Sequence, residues 1–325
     1  LKLPELADGN YALATSVETT DGRTIPGQPF RLVARRFPWE GNTLGTTDEV
    51  FPPFTPVQVN GRSVTVVSRE MTMNGFGLWD QVVSLGRPLL AAPMAVCCET
   101  AAGPGVWSRA DGRFVSQRPK QAVVEAEAAA AAVAVRARSS VEIDGCTKVE
   151  MVLAPGSAPA EIKRLWIEVP LRDAEAPLMH TIGDGLRQNY AGAAPGGQGA
   201  VWDGSQVTRH ERWRNLFVPY VWLGAAERGL AFFAENDKGW VTEKGHSKTP
   251  THELVREGER LTLRVYLVNR SVALTEPRSL VFGLQASPTK PLPDNWRQDP
   301  ARADDLERAG VPPANFPVCG RAQGN

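Results

Sequence analysis

Ser140-Val141-Glu142-Ile143-Asp144-Gly145, followed by Lys148-Val149-Glu150-Met151-Val152-Leu153, is the stretch on which the fold turns. Val141 and Ile143 alternate with polar neighbours, and Val149, Met151 and Leu153 do the same beyond Asp144-Gly145. Successive side chains of a strand point to opposite faces, so a period of two buries one face and wets the other. Asp-Gly between two such runs signals a hairpin, because both residues tolerate the backbone of a tight turn. The spacing predicts a pair of antiparallel strands with one apolar face.

The same reading extends along the chain. Leu261-Thr262-Leu263-Arg264-Val265-Tyr266-Leu267 alternates in the same way, and Val64–Val67 and Ile162–Val169 also read as strands. Scattered glycine and proline (30 and 26 residues) cut the chain into short elements. The alanine-rich run from Glu125 to Ala134 has the composition of a helix but passes into Val133-Ala134-Val135-Arg136-Ala137-Arg138, which has a period of two. It is predicted to be a strand whose small residues let neighbouring layers approach closely. Asp299 to Gly310 reads as one short capped helix, and Val311 to Pro317 as extended linker. The glycine-rich stretch Asn189 to Gly199 is expected to be a loop, without the Gly-Lys-Ser/Thr order of a phosphate loop. The expectation is an all-β chain forming a large antiparallel β-sandwich, as one supersandwich or two packed sandwiches. Lead-in strands would occupy residues 1–29, the sandwich 30–297, and a short C-terminal helix and linker 298–325.

At 325 residues and 35.2 kDa the chain can bury a large core. Lys+Arg 36 against Asp+Glu 36 gives zero net charge, so nothing steers nucleic acid or an anionic membrane, and a neutral ligand such as a glycan fits, among many other things. No apolar run approaches the ~18 residues of a membrane span. The chain opens on Leu1 with no charged-then-apolar leader, which we read as a leader already removed from a secreted or periplasmic protein. Cys97, Cys98, Cys146 and Cys319 leave long-range disulfides and buried thiols both open, and no CxxC or His-x-His spacing supports zinc.

Candidate chemistry gathers in Pro219 to Trp240, two aromatic strand-like runs around a turn that end in Glu235-Asn236-Asp237 and Trp240. On a strand, Glu235 and Asp237 would share one face with Cα atoms ~6.5–7 Å apart. Such a pair suits acid–base work on a glycosidic bond, oxygen ligation of Ca²⁺, or contact with sugar hydroxyls. The alternative is a polar turn whose Asn and Asp satisfy local backbone groups. Of the nine tryptophans, Trp166 and Trp222 sit in apolar strands and are expected in the core. Trp39, beside Glu40, and Trp240, beside Gly239, sit at turns where an exposed indole would stack on a pyranose. His180, His210, His246 and His252 stand apart, and no Gly-x-Ser-x-Gly elbow accompanies them.

These residues fall in a familiar order: Trp39-Glu40-Gly41-Asn42-Thr43-Leu44-Gly45, Pro52–Val57, Gly77-Leu78, Tyr190-Ala191-Gly192, Val201-Trp202-Asp203, the Pro219–Trp240 hairpin, and Phe282 to Pro291. Over about residues 30–297 the chain resembles the non-catalytic N-terminal region of bacterial proteins similar to glycoside hydrolase family 123. The resemblance implies a β-sandwich ahead of a (β/α)₈ barrel. In that barrel an adjacent Asp-Glu pair supplies a general acid and orients the substrate's own 2-acetamido group, for β-N-acetylgalactosaminidase activity. Here barrel-type alternation never begins, and Asp304-Asp305 is the nearest approach to the acidic pair.

The expectation is therefore an accessory region without catalytic residues, whose barrel lies beyond it or has been lost. Trp39, Glu40, Glu235, Asp237 and Trp240 are its candidate carbohydrate contacts. No cofactor is implied, Ca²⁺ at the acidic cluster being the one candidate ion. The expected partners are carbohydrate and a C-terminal barrel domain or partner chain, with no nucleic acid and no membrane. The alternatives are an assembly module or a stand-alone enzyme using Glu235 and Asp237.

Overall fold

In a computed structural model, residues 5–43, 46–158, 161–183, 189–207, 217–242 and 250–291 are described. The expected helix at Asp299–Gly310 and its linker, together with His210, His246, Trp213, Trp296 and Cys319, lie outside them. The described residues are almost entirely strands, as the alternating patterns required. The chain forms two compact units, Leu1–Asp48 and Glu49–Asn325.

The N-terminal unit holds two small antiparallel ladders. Gly9–Leu13 pairs with Phe30–Ala34, and Ser16–Glu18 with Thr24–Pro26. None of its described residues is buried. Val17, Ile25, Phe30, Val33, Phe37 and Trp39 are all exposed.

The larger unit is a sandwich built on three antiparallel sheets. The nine-stranded sheet runs Trp107–Arg118, Gln121–Ala130, Val133–Glu142, Thr147–Pro155, Arg278–Ser287, Gly229–Phe233, Tyr220–Gly224, Leu178–Ile182, Asn189–Ala193. A seven-stranded sheet is centred on Glu161–Arg172, Arg260–Val268 and His252–Glu257, and a five-stranded sheet runs from Gln58–Asn60 to Arg87–Pro88. Alternation sorts each strand of the nine-stranded sheet. Val149, Met151 and Leu153, in register with Phe282, Leu280 and Arg278, point inward, while Lys148 and Glu150 point out. One continuous apolar cluster joins the inner faces, and Phe232 of the nine-stranded sheet meets His252 of the seven-stranded sheet edge-on at 5.7 Å.

The hairpin at Ser140–Leu153 forms as expected, with one difference at its tip. Glu142 accepts from the Gly145 amide and donates its own amide to the Cys146 carbonyl, so the loop is Ile143-Asp144-Gly145. Asp144 Oδ1 accepts from the Cys146 amide at 2.9 Å, and Gly145 takes φ +74°, the left-handed position that a three-residue loop needs. The alanine run Glu125–Ala134 is extended but not one strand: it closes the strand Gln121–Ala130, turns at Ala131-Ala132 and enters Val133–Glu142, with Ala122, Ala126, Ala128 and Ala130 buried. Ala126 and Ala137 lie against Gly77, which is where the small residues allow a close layer. The expected loop at Asn189–Gly199 begins instead as the strand Asn189–Ala193 on the sheet's edge.

Arg69 ties the five-stranded sheet to the end of Arg278–Ser287. Its guanidinium, 3% exposed, donates to the carbonyls of Ala286 and Thr289 at 2.7 Å each. Burial pulls its pKa down to about 10.

Candidate functional site

The outer face of the nine-stranded sheet divides into two halves. On one half, Arg113, Glu125, Arg138 and Glu150 stand opposite one another across four strands, alternating in charge. Arg138 meets Glu125 at 2.7 Å and Arg136 meets Glu127 at 3.4 Å, both pairs well solvated. Exposed pairs of this kind contribute about 0–1 kcal/mol each, so this half is a solvated surface.

The other half is apolar and hollow. A cleft of about 740 Å³ is lined by Ile182, Tyr220, Phe233, Val281 and Gly283, with Lys148, Ser279, Glu235, Asn236 and Lys238 among its polar groups. Register explains the gathering: Ile182 is opposite Tyr220, Tyr220 opposite Phe233, and Phe233 opposite Gly283. A Cβ on Gly283 would lie 2.2 Å from the Phe233 ring, so the bare strand is what lets the ring settle on the sheet. Trp222 does the same beside it: a Cβ on Gly224 or Gly229 would lie 2.5 Å from the indole. Its Nε1 donates to Ser287 Oγ at 3.2 Å. His180 meets Tyr220 edge-on at 5.3 Å, and burial raises the Tyr220 pKa above its ordinary value, so the phenol stays protonated.

Only part of the expected site is brought together here. Glu235 is exposed at the cleft, but the strand ends at Phe233, so Glu235 and Asp237 are not strand neighbours on one face. The acidic cluster is a turn, the alternative reading: Asn236 Oδ1 accepts from the Lys238 amide at 3.0 Å, and the Asp237 carbonyl from the Trp240 amide at 3.1 Å. Trp240, expected at an exposed turn, is 7% exposed and packs against Phe217 and His252. Trp39 is 64% exposed, stacked on Phe37 at 4.7 Å, and with Glu40 belongs to the N-terminal unit. Among the described residues no group of three or more His, Cys, Asp or Glu is placed to hold a metal ion.

The turn is held by Gly239, at φ +85°, where a Cβ would lie 2.1 Å from the Ser279 carbonyl oxygen. Gly239→Ala is expected to cost about 2 kcal/mol, from the left-handed backbone and the clash together. Urea unfolding beside the neighbouring Lys238→Ala, expected near neutral, checks this.

Sequence reading also placed Trp166 and Trp222 in the core, whereas both are half-buried on outer faces. Trp166 joins a network on the seven-stranded sheet: it donates to Glu168 at 3.0 Å, Arg264 bonds Glu168 at 3.0 Å, and Tyr266 donates to Glu253 at 2.8 Å. Burial foremost pushes the Tyr266 phenol and the adjacent Cys97 thiol each up to about 12. Cys97, Cys98 and Cys146 are free, and burial also raises Cys98 and Cys146 to about 11, which makes poor nucleophiles of them.

Comparison with known families gives the class of domain to which this all-β sandwich belongs, one associated with glycoside hydrolases. Residues 57–239, more than half of the chain, match the family described as glycoside hydrolase 123, third domain. The chain belongs to that family. The sandwich is larger than the matched segment, since Arg278–Ser287 lies between Thr147–Pro155 and Gly229–Phe233 in the sheet. No curated protein matches the chain. Among solved structures, a putative aldose 1-epimerase from Escherichia coli K12 is 8% identical, with TM-score 0.37 over 72% of this chain and 98% of that one. The heparan sulfate lyase HepC from Pedobacter heparinus is 9% identical, with TM-score 0.34 over 72% of this chain and 35% of that one.

Proposed function

We propose that this chain is the accessory β-sandwich region of an extracytoplasmic glycoside hydrolase, supporting a catalytic barrel and contacting glycan without cleaving it. The family match over the sandwich itself carries this reading. The turn formed by Glu235 to Trp240 supports it, because the strand ends at Phe233 and Asn236 Oδ1 serves the Lys238 amide, so Glu235 and Asp237 are not a strand-spaced pair of carboxylates. Two carboxylates acting as acid and base need a fixed separation across a glycosidic bond, which this turn does not build. The 325 residues alone should release no p-nitrophenol from aryl N-acetylhexosaminides above the buffer rate, and Glu235→Gln should change nothing. Turnover that disappears in Glu235→Gln would overturn the reading in favour of a stand-alone enzyme. A gene product ending at Asn325 would overturn the barrel-supporting role, without favouring an enzyme.

The N-terminal unit favours assembly as a second role. Two-stranded ladders are marginal alone, and the six exposed large apolar side chains among its described residues call for a covering surface. Sedimentation showing mass rising with concentration, and falling back in Phe30→Ser/Trp39→Ser, checks it.

A further inference from the structure

We infer that the cleft around Tyr220 and Phe233 is a binding subsite for a neutral pyranose chain. This rests on the accessory reading above and gives it a place and a ligand class. The cleft's volume, about 740 Å³, lies within the usual range for ligand pockets, about 300–1,000 Å³. Its floor is what a sugar's C–H face requires. Phe233 lies over Gly283, Tyr220 stands opposite it in register, and Val281 is 48% exposed between the neighbouring strands.

The polar groups suit hydroxyls. Asn236 uses its oxygen on the Lys238 amide, which leaves its amide N–H groups to donate outward. Glu235 accepts, Ser279 does either, and no hydrogen bond of the Tyr220 hydroxyl is found among the described residues. The aromatic floor together with this one-sided polar rim distinguishes a sugar from a purely apolar occupant.

Charge then selects the class. Lys148 is paired with Glu150 at 2.9 Å, and Lys238 and Glu235 bring opposite formal charges to the same cleft lining, so the charges there sum to zero. An acidic glycan would meet no uncompensated cation here, while a neutral one loses nothing. Binding should therefore be nearly independent of salt, since screening acts only on unbalanced charge.

The test is calorimetric titration of the whole chain with soluble neutral hexasaccharides (β-glucan, galactan, mannan and N-acetylhexosamine series) and an acidic oligogalacturonate, at low and high salt. At least one neutral series should bind, with affinity little changed by salt. Tyr220→Ala and Phe233→Leu should each weaken it about tenfold, or about 1.4 kcal/mol. Phe233→Leu keeps the apolar packing and removes only the ring face, so a loss there is not a folding defect. Arg136→Ala, on the solvated half of the same sheet, should bind as the parent does. Failure of every neutral series, binding of the acidic series alone with loss at high salt, or neutral binding unmoved by both variants would each overturn the subsite. Sugar release in the same mixtures would instead overturn the accessory reading and leave the subsite standing.

Discussion

Phe282→Ala is expected to destabilise the sandwich by about 3–5 kcal/mol, whereas Val281→Ala, one residue earlier, should cost no more than about 1 kcal/mol. The two residues share a strand and occupy opposite faces of it. Phe282 is 2% exposed, in register with Val149, and stacked on Phe232 at 5.3 Å with the rings 25° from parallel. Phe232 in turn meets His252 of the opposing sheet. Removing the Phe282 ring leaves a hole walled by strands that hydrogen bonds hold in place, so the core cannot collapse to fill it. Val281 faces water at 48% exposure, and its loss removes little buried area. Urea unfolding at neutral pH measures both, and comparable costs for the two would contradict the assignment of faces.

Acidification should cost this protein stability through one histidine. His252 is fully buried between Phe232 and Trp240, with Nδ1 2.8 Å from Thr251 Oγ1 and Nε2 unpartnered among the described residues. Burial drives its pKa down from 6.5 to about 3, because no counter-charge stabilises an imidazolium there. The unfolded chain takes up the proton near pH 6.5 and the folded chain refuses it until near pH 3. The contribution is thus complete above about pH 6.5 and lost progressively as pH falls toward 3, at up to about 1.4 kcal/mol per unit. Between about pH 6.5 and about pH 4 the loss should reach about 3 kcal/mol. His252→Gln keeps a group for Thr251 but cannot titrate, so its unfolding free energy should fall less steeply over that interval. Parallel profiles for parent and variant would show that His252 is not the group responsible.

The fold was legible where side-chain alternation is local. The Ser140–Leu153 hairpin declared itself through period two and Asp144-Gly145, and the alanine run through the alternation that follows it. Trp166 and Trp222 misled because a strand with both faces half-covered shows apolar residues at positions that do not all belong to the core. Trp240 and the acidic cluster were displaced by the end of the strand at Phe233, after which the chain turns and Gly239 passes close to Ser279. The cleft was legible in part: Tyr220, Phe233 and Glu235 belong to the Pro219–Trp240 hairpin, whereas Lys148, Ile182 and Ser279 come from strands far apart in sequence and join them only through register. A subtler signal was also present: Gly283 stands in a strand interior, where glycine usually marks a close approach, and Gly224 and Gly229 close the ends of two paired strands.

Those glycines carry a consequence for descent. A ring seated on a bare strand makes two positions answerable to each other, since any side chain acquired at 283 lifts the one at 233. In homologous chains the change from glycine at position 283 should arrive together with loss of the aromatic at 233. Position 222 should be tied in the same way to 224 and 229. Selection on this surface then acts on couples rather than on single letters, and a substitution harmless in one relative would be disabling in another that kept the opposite member.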